Sequence, residues 1–415
     1  MRILMVNKYL YPRAGAETYM LYVAEQLIKR GHTVAFFGME HRENTTLGKC
    51  VTVPFLDFSD NNGFAQKTLS LGKAAVMTVL ATSTKSFTKF VKTFKPDVIH
   101  AHNVYNQLSP SMFSQVRKSI PVLMTVHDYK PVCPNYSLFV DNERCTRCLK
   151  GNYLHCVKHR CCHKSLLAST AAALSSSLHR ANGTYTKCYH HFIAPSPFMK
   201  ERLIEGGFDP EKISVIENFS ELPDAFSKPG KGLLFTGRLC VEKGVHLLLK
   251  AYSRLRVPRP ILVIAGEGPL EEELKQWSIA NNINDSIRWL GRITPAEVLG
   301  ELEKCAVSIV PSVWNENCSM AIMESLAHGR PVITSTRGGN PNLIEDGING
   351  EVFDCSSPAA LTGKINRLLQ SHDLLVAQGL AARKSAEKRF SADVHMDQLL
   401  NTYMKLIGDN NDKIS

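Results

Sequence analysis

WNENCSMAIMESLAHGRP, running from Trp314 to Pro331, is the stretch on which the reading of this chain turns. It carries two acids, Glu316 and Glu324, with Asn317, Cys318 and Ser319 between the first acid and a run of helical pattern. A compact apolar run, Ala306 to Val310, precedes it and is closed by Pro311; Pro331-Val-Ile-Thr-Ser-Thr336 follows. The order is strand, loop, helix, strand, so a helix begins at the carboxyl end of a buried parallel strand. Unpaired N–H groups and the helix dipole favour an anion there, and the two acids can hold neutral hydroxyls beside it. The plain alternative is a βα unit with solvated surface acids, and the segment alone leaves both readings open.

Working outward, the 415 residues exceed one ordinary core and predict two or three domains. A composition 44% hydrophobic and 21% charged is that of a soluble globular chain. No apolar run is long enough to span a bilayer, and MRILMVNKYLYP is too short in apolar residues for a signal peptide, so a cytoplasmic protein is expected. The formal charge of +11 is concentrated: Lys67, Lys73, Lys85, Lys89, Lys92 and Lys95 occur between residues 64 and 95 with no acid among them. With Phe64, Leu69, Val76, Phe87, Phe90 and Val91 interleaved, that stretch reads either as an amphipathic surface for anionic lipid, on the inner face of the cell membrane, or as core-facing helices with solvated lysines. Nucleic acid is not expected as a partner, because no helix-turn-helix, zinc-finger or RNA-binding signature accompanies the charge.

Both halves alternate short apolar runs with helical patterns. In the first, Arg2 to Asn7 leads into YPRAGAE and a helix from Thr18 to Lys29; Gly15 before that helix would let the backbone approach a ligand, or merely gives a βα turn room. PDVIHAH (96–102) and PVLMTVHDY (121–129) then set His102, His127 and Asp128 at strand ends, where ligands of open parallel sheets bind. A Pro/Gly/Ser-rich stretch, Phe219 to Gly232, reads as a linker. Beyond it, GRLCVEKG (237–244) puts Arg238 and Lys243 in a glycine turn ahead of a helix, a setting for a multiply charged anion such as a diphosphate. The expected divisions are 1–218, a linker at 219–232, 233–390, and a C-terminal helix and tail at 391–415 that packs back toward the N-terminal domain. The fold class is α/β, with two facing doubly wound Rossmann-like sheets and a cleft between them.

Six of the 12 cysteines fall between Cys133 and Cys162. Cys145-Thr-Arg-Cys148 has zinc-knuckle spacing, and Cys133, Cys145, Cys148, Cys156 and Cys161 form a candidate ligand set for a structural zinc; free thiols in a loop are the other reading.

GRLCVEKG, VIAGEGP (263–269), WLGR (289–292), the Glu316/Glu324 pair, GRPVITS (329–335) and IEDGINGEVFD (344–354), in this order, resemble the retaining glycosyltransferases of family 4; GHTV (31–34), PDVIHAH and VHDY extend the resemblance into the first half. It implies the GT-B architecture and transfer of a sugar from a nucleotide-sugar donor to a glycan or polyprenyl-linked acceptor, in bacterial surface-polysaccharide synthesis. Arg238 and Lys243 would neutralise the diphosphate, and Glu324 would receive the ribose hydroxyls. Glu316 would stand near the sugar, with His127 against the transferred residue. Backbone N–H groups around Cys318 and Ser319 would support the phosphate, and Gly15 would approach it from the first domain. No cofactor is implied for catalysis: an Asp-x-Asp triplet, the usual support for a catalytic metal, is absent from the sequence. Departures are Ala14-Gly15 for the family's Gly-Gly, Ser319 for a common glycine, and Asn342 where an acid is frequent. Alternatives are a nucleotide-sugar epimerase on the same scaffold, or a non-catalytic binding protein organised by a metal.

Overall fold

The computed structural model describes residues 1–54, 84–105, 107–116, 118–225 and 228–414. The chain divides into two compact units, the first comprising Met1–Val140, Cys145–Ile216 and Met396–Ser415, the second Asp141–Arg144 and Glu217–His395.

Unit 1 is built on β1 (Arg2–Val6), β2 (Thr33–Met39), β3 (Lys49–Val53), β4 (Val98–Ala101), β5 (Val122–Thr125), β8 (His191–Ala194) and β9 (Ile213–Val215), in the order β3-β2-β1-β4-β5-β8-β9. The paired strands run parallel, and β1, β4 and β5 are buried almost throughout, as expected of a sheet covered on both faces. A helix, Gly15–Lys29, covers it with Tyr19, Met20, Val23, Ala24 and Leu27. That helix starts at Gly15 itself, three residues before the expected Thr18. The edge strand β3 has only half-buried side chains, and no apolar run announced it.

Of the lysine-rich stretch, residues 64–83 lie outside the described residues. Thr84–Phe94 is a helix whose Phe87, Phe90, Val91 and Phe94 are buried in the core of unit 1, which is the core-facing reading for this part. No described helix is long and apolar enough to cross a membrane. The cysteine-rich insert carries a two-stranded ribbon, β6 (Phe139–Val140) with β7 (Glu143–Arg144), and helices Leu154–Lys158 and Leu166–Ala181.

Unit 2 repeats the plan with β10 (Leu233–Thr236), β11 (Leu262–Ala265), β12 (Ile287–Gly291), β13 (Val307–Val310), β14 (Val332–Ser335) and β15 (Gly350–Phe353), in the order β12-β11-β10-β13-β14-β15. Its local signals are strong. Thr294 and Glu297 form a reciprocal capping box, with Pro295 opening the helix Pro295–Lys304. At the other end of that helix the fully buried Arg330 donates to the carbonyls of Leu302 (2.6 Å) and Glu303 (3.1 Å). Its guanidinium supplies donors to terminal carbonyls that have no helical partner, at the negative end of the helix dipole. The GRP run after the opening stretch thus has a structural part: Gly329 (φ 65°) ends the helix Met320–Ala327, and Arg330 caps its neighbour.

The proline- and glycine-rich stretch 219–232 is tied to unit 2, since Ser220 N–H donates to Phe390 O (2.9 Å) and Gly230 N–H to Cys305 O (2.9 Å). The last helix, Ala392–Ile414, continues through the segment expected to fray. From Met396 onward it belongs to unit 1, where the Tyr403 hydroxyl lies 2.6 Å from His100 Nδ1.

The helix Val245–Tyr252 buries Val245, Leu247, Leu248, Leu249, Ala251 and Tyr252. Leu248→Ala should destabilise the chain by about 2–5 kcal/mol, read as a lower urea midpoint at unchanged far-ultraviolet circular dichroism.

Candidate active site

In a doubly wound sheet the ligand lies beyond the carboxyl ends of the strands, where successive crossovers go to opposite sides. In unit 2 that point falls between β10 and β13. The loop after β10 holds Gly237 to Gly244, and the loop after β13 holds Pro311 to Ser319.

The two loops are joined by an ion pair: Lys243 Nζ donates to Glu316 Oε1 at 2.9 Å. Glu316 is 5% exposed, and the Ser312 hydroxyl donates to the same oxygen. Burial works to raise the Glu316 carboxyl, but the Lys243 ammonium and the Ser312 hydrogen bond outweigh it and hold the group below its ordinary value. An acid among so many neighbours therefore stays ionised at neutral pH.

Two glycines permit this geometry. Gly244 (φ 70°) starts the helix Val245–Tyr252, and a Cβ on it would stand 2.1 Å from Pro311 O. Gly338 (φ 62°) lies against Glu316, where a Cβ would stand 2.1 Å from its carbonyl oxygen, and the next residue, Gly339, donates its N–H to that oxygen at 2.7 Å. Three loops, after β10, β13 and β14, converge on one residue, the first two on its carboxylate and the third on its backbone carbonyl.

Glu324 sits on the helix Met320–Ala327, partly exposed, and burial raises its carboxyl with no cation to pull it back. Its electrostatics are thus opposite to those of Glu316. Ser319 is the residue before that helix and makes no side-chain capping bond; Cys318 beside it has its thiol pushed up to about 12 by burial. Arg238 is exposed, in the same turn as Lys243. Asn340, fully buried after Gly339, has an amide with no hydrogen-bond partner among the described residues, a feature the sequence did not signal.

In unit 1 the corresponding switch point lies between β1 and β4. Gly15 opens its helix there, but a Cβ on it would meet nothing within 4 Å, so packing of the chain does not demand glycine at this position. Beyond β5, His127 Nε2 lies 3.0 Å from His102 Nδ1, and the Tyr19 ring meets both imidazoles edge-on. Burial pushes His127 down to about 3 and His102 well below its usual range, so both rings are neutral near pH 7 and one donates to the other. His102 in turn stacks on His100, which contacts Thr125 and Tyr403. Asp128 accepts from the Tyr105 hydroxyl (2.8 Å) and Lys130 N–H (2.9 Å); burial raises its carboxyl and these bonds oppose the rise. The His102 partnership of His127 was not foreseen, although both residues were placed at strand ends.

The cysteines of the expected ligand set lie near one another, with Cys133, Cys145 and Cys161 in the field of Cys148. Cys148 and Cys156 pack in an apolar cluster with Tyr153 and Ala173, with Cys161 and Cys162 at its side, while Cys133 belongs to the main core of unit 1 and Cys145 is half-buried. Among the described residues no group of three or more His, Cys, Asp or Glu side chains is arranged to hold a metal ion. The zinc expectation therefore rests on cysteine spacing alone.

Comparison with known proteins places the whole chain in one family and fold. Residues 13–222 match the family described as Glycosyltransferase Family 4, and residues 222–385 match Glycosyl transferases group 1. The chain is 28% identical over 225 residues to the amylovoran biosynthesis glycosyltransferase AmsK of Erwinia amylovora, covering 52% of this chain and 54% of that protein. It is 30% identical over 184 residues to spore coat protein SA of Bacillus subtilis, covering 42% and 49% respectively, so the match spans about half the length of each relative. A glycogen synthase of Mycobacterium tuberculosis is 26% identical over 350 residues, covering 81% of this chain and 74% of that protein. Among solved structures, sucrose-phosphate synthase of Thermosynechococcus elongatus superposes with a TM-score of 0.71 at 17% identity, covering 98% of this chain and 99% of that one. Anabaena HepE in complex with UDP superposes at 0.66 with 16% identity, covering 98% and 100%.

The unpaired state of Glu324 has a measurable consequence. A carboxyl raised in the folded state costs stability once pH exceeds its folded value, because the unfolded chain ionises more easily. Glu324→Gln should therefore raise the melting temperature at pH 7.5 and leave it nearly unchanged at pH 4, compared by calorimetry with the parent chain. Glu316, lowered by its partners, contributes stability above its unfolded value that is lost as pH falls through its folded one, so Glu316→Gln should lower the melting temperature at pH 7.5.

Proposed function

This chain belongs to glycosyltransferase family 4, and on that premise we propose that it transfers a sugar, with retention of anomeric configuration, from a nucleotide-sugar donor to a glycan or lipid-linked acceptor in bacterial polysaccharide synthesis. The observation that carries the reading is the pair of half-buried Lys243 and buried Glu316 at the switch point of the second sheet, which holds a cation and an ionised acid together where a donor would lie.

Cleaving a sugar from a nucleoside diphosphate builds negative charge on the leaving phosphate and positive charge on the anomeric carbon. Lys243 and Arg238, both in the turn after β10, neutralise the phosphate. The N–H groups at the start of the helix Met320–Ala327, around Cys318 and Ser319, add dipoles of the same sign. Glu324, partly exposed on that helix, accepts from the ribose hydroxyls, and donor binding gives it the partners it lacks in the protein. Glu316 accepts from hydroxyls of the sugar while fixing Lys243. His127, neutral at working pH, offers the transferred sugar a hydrogen bond rather than a charge, and the open space over Gly15 admits the donor phosphates. The leaving phosphate takes the acceptor's proton, so no protein carboxylate needs to act as nucleophile.

Support for a nucleotide donor comes from the solved HepE structure, which contains UDP, and for a polysaccharide product from AmsK, named for amylovoran biosynthesis. Excess positive charge, including Lys85, Lys89 and Lys92 on the helix Thr84–Phe94, supports work at an anionic membrane face.

Lys243→Ala and Glu324→Ala should each cut acceptor-dependent release of nucleoside diphosphate by roughly 10²–10³-fold while the far-ultraviolet circular dichroism is kept. Full activity in both variants would overturn the reading; isomerised donor formed without acceptor would point instead to an epimerase.

A further inference from the structure

Away from the strand-end sites, unit 1 contains a cavity of about 250 Å³. It lies between the helix Leu166–Ala181, the short helix Thr184–Cys188, the Gly206-Gly207 turn and the loop at Lys130. That volume is the share of roughly eight liquid waters and falls just below the range of drug-sized pockets, about 300–1,000 Å³. A single small organic molecule fits it.

The charges on its wall have one sign. Lys130 and Arg180 line it together with His179, which burial pushes down to about 4 and so keeps neutral, and among the described residues no Asp or Glu does. Lys130 is 8% exposed, and its ammonium donates to a neutral partner, Pro134 O, at 2.8 Å. Asp128 is the carboxylate in its field, but that group already accepts from Lys130 N–H and the Tyr105 hydroxyl. The other groups in the ammonium's field are Cys162, whose thiol the Cys156 hydrogen bond and Lys130 itself hold below its usual value, the thiols of Cys133 and Cys156, the Lys8 ammonium and His179, which burial keeps neutral. Arg180 spends one N–H on Gly206 O at 3.0 Å and another on the Tyr153 hydroxyl, which leaves further donors of its guanidinium for a ligand. A buried ammonium bonded to a neutral carbonyl is costly, and an anion in the adjoining space relieves that cost. Hydroxyls of Ser175, Ser176 and Thr186 and the ring of Tyr153 complete the wall, a combination that suits a ligand with hydroxyl groups as well as charge.

We propose that this cavity binds a small hydroxylated organic anion, a phosphomonoester or carboxylate of monosaccharide size, with Lys130 and Arg180 holding its charge. The site is wired to the end of β5: Tyr105 lines the cavity and donates to Asp128, next to His127. Occupancy therefore bears on the geometry around His127, and the ligand acts as an effector of transfer. That last step rests on the sugar-transfer reading; binding itself does not.

The test is a thermal-shift and calorimetric titration of the full chain with inorganic phosphate, glucose 6-phosphate, glucuronate and, as the neutral control, glucose. It is run in the Lys243→Ala background, so that anions at the donor site do not contribute. Glucose 6-phosphate or glucuronate at millimolar concentration is expected to raise the melting temperature by several degrees, with glucose without effect; the stronger of the two identifies the charged group. Lys130→Met should abolish the shift. Ser176→Trp fills the cavity from a partly exposed position without removing charge, and should abolish it too in a chain whose circular dichroism is unchanged. An equal shift with glucose, no shift with any anion, or a shift that survives in Ser176→Trp overturns the proposal. Loss of transfer in Lys243→Ala with the shift intact separates this site from the donor site.

Discussion

The ion pair between Lys243 and Glu316 is the contact on which the second unit's site depends. It joins loops from adjacent parallel strands, β10 and β13, at the place where the winding of the sheet reverses. A carboxylate 5% exposed is stable as an anion only with a cation and a hydroxyl on it, and Lys243 and Ser312 provide both. Close backbone approach is a condition of that arrangement. Gly244 and Gly338 stand where any side chain would strike the carbonyls of Pro311 and Glu316. The glycines of the motifs are thus set by the geometry of this pair as much as by any ligand.

Around it, the two acids of the opening stretch are held in opposite electrostatic states. Glu316 is compensated inside the protein, whereas Glu324 carries the cost of burial without relief. A group left costly in the folded protein gains the most from a ligand that satisfies it. In unit 1 the same logic gives neutral histidines: His102 and His127 share one hydrogen bond in a space too enclosed to hold a charge. Lys243 and Arg238 give the loop after β10 its positive charge, whereas His127 at the end of β5 is a neutral ring.

Much of the architecture was legible because parallel strands buried on both faces are written as short apolar runs. The strands 98–101, 122–125, 307–310 and 332–335 fall within the apolar runs that the sequence shows. The edge strand β3 was missed because its half-buried side chains leave no such run, and the ribbon β6–β7 is held by two-residue strands too short to carry a period. Gly15 has two readings, close approach of a ligand and a turn that needs room, and no described residue crowds it, so the second does not account for the glycine. The GRP run carries part of the family resemblance without a role attached, and its arginine caps a helix, a part that only the packing of Pro295–Lys304 beside it reveals.

The sequence by itself determined the alternation of strands and helices, the two α/β halves, the identity of the acids and cations, and the membership of the family, since these follow from local pattern and from motifs in fixed order. Tertiary structure decided which charges meet. Lys243 and Glu316 are 73 positions apart, and their pairing arises from the adjacency of β10 and β13, which no local spacing encodes. It decided as well that His127 leans on His102, and that Lys130 and Arg180 line one cavity. Protonation states and cavities depend on distances across the fold, whereas secondary structure depends on neighbours along the chain.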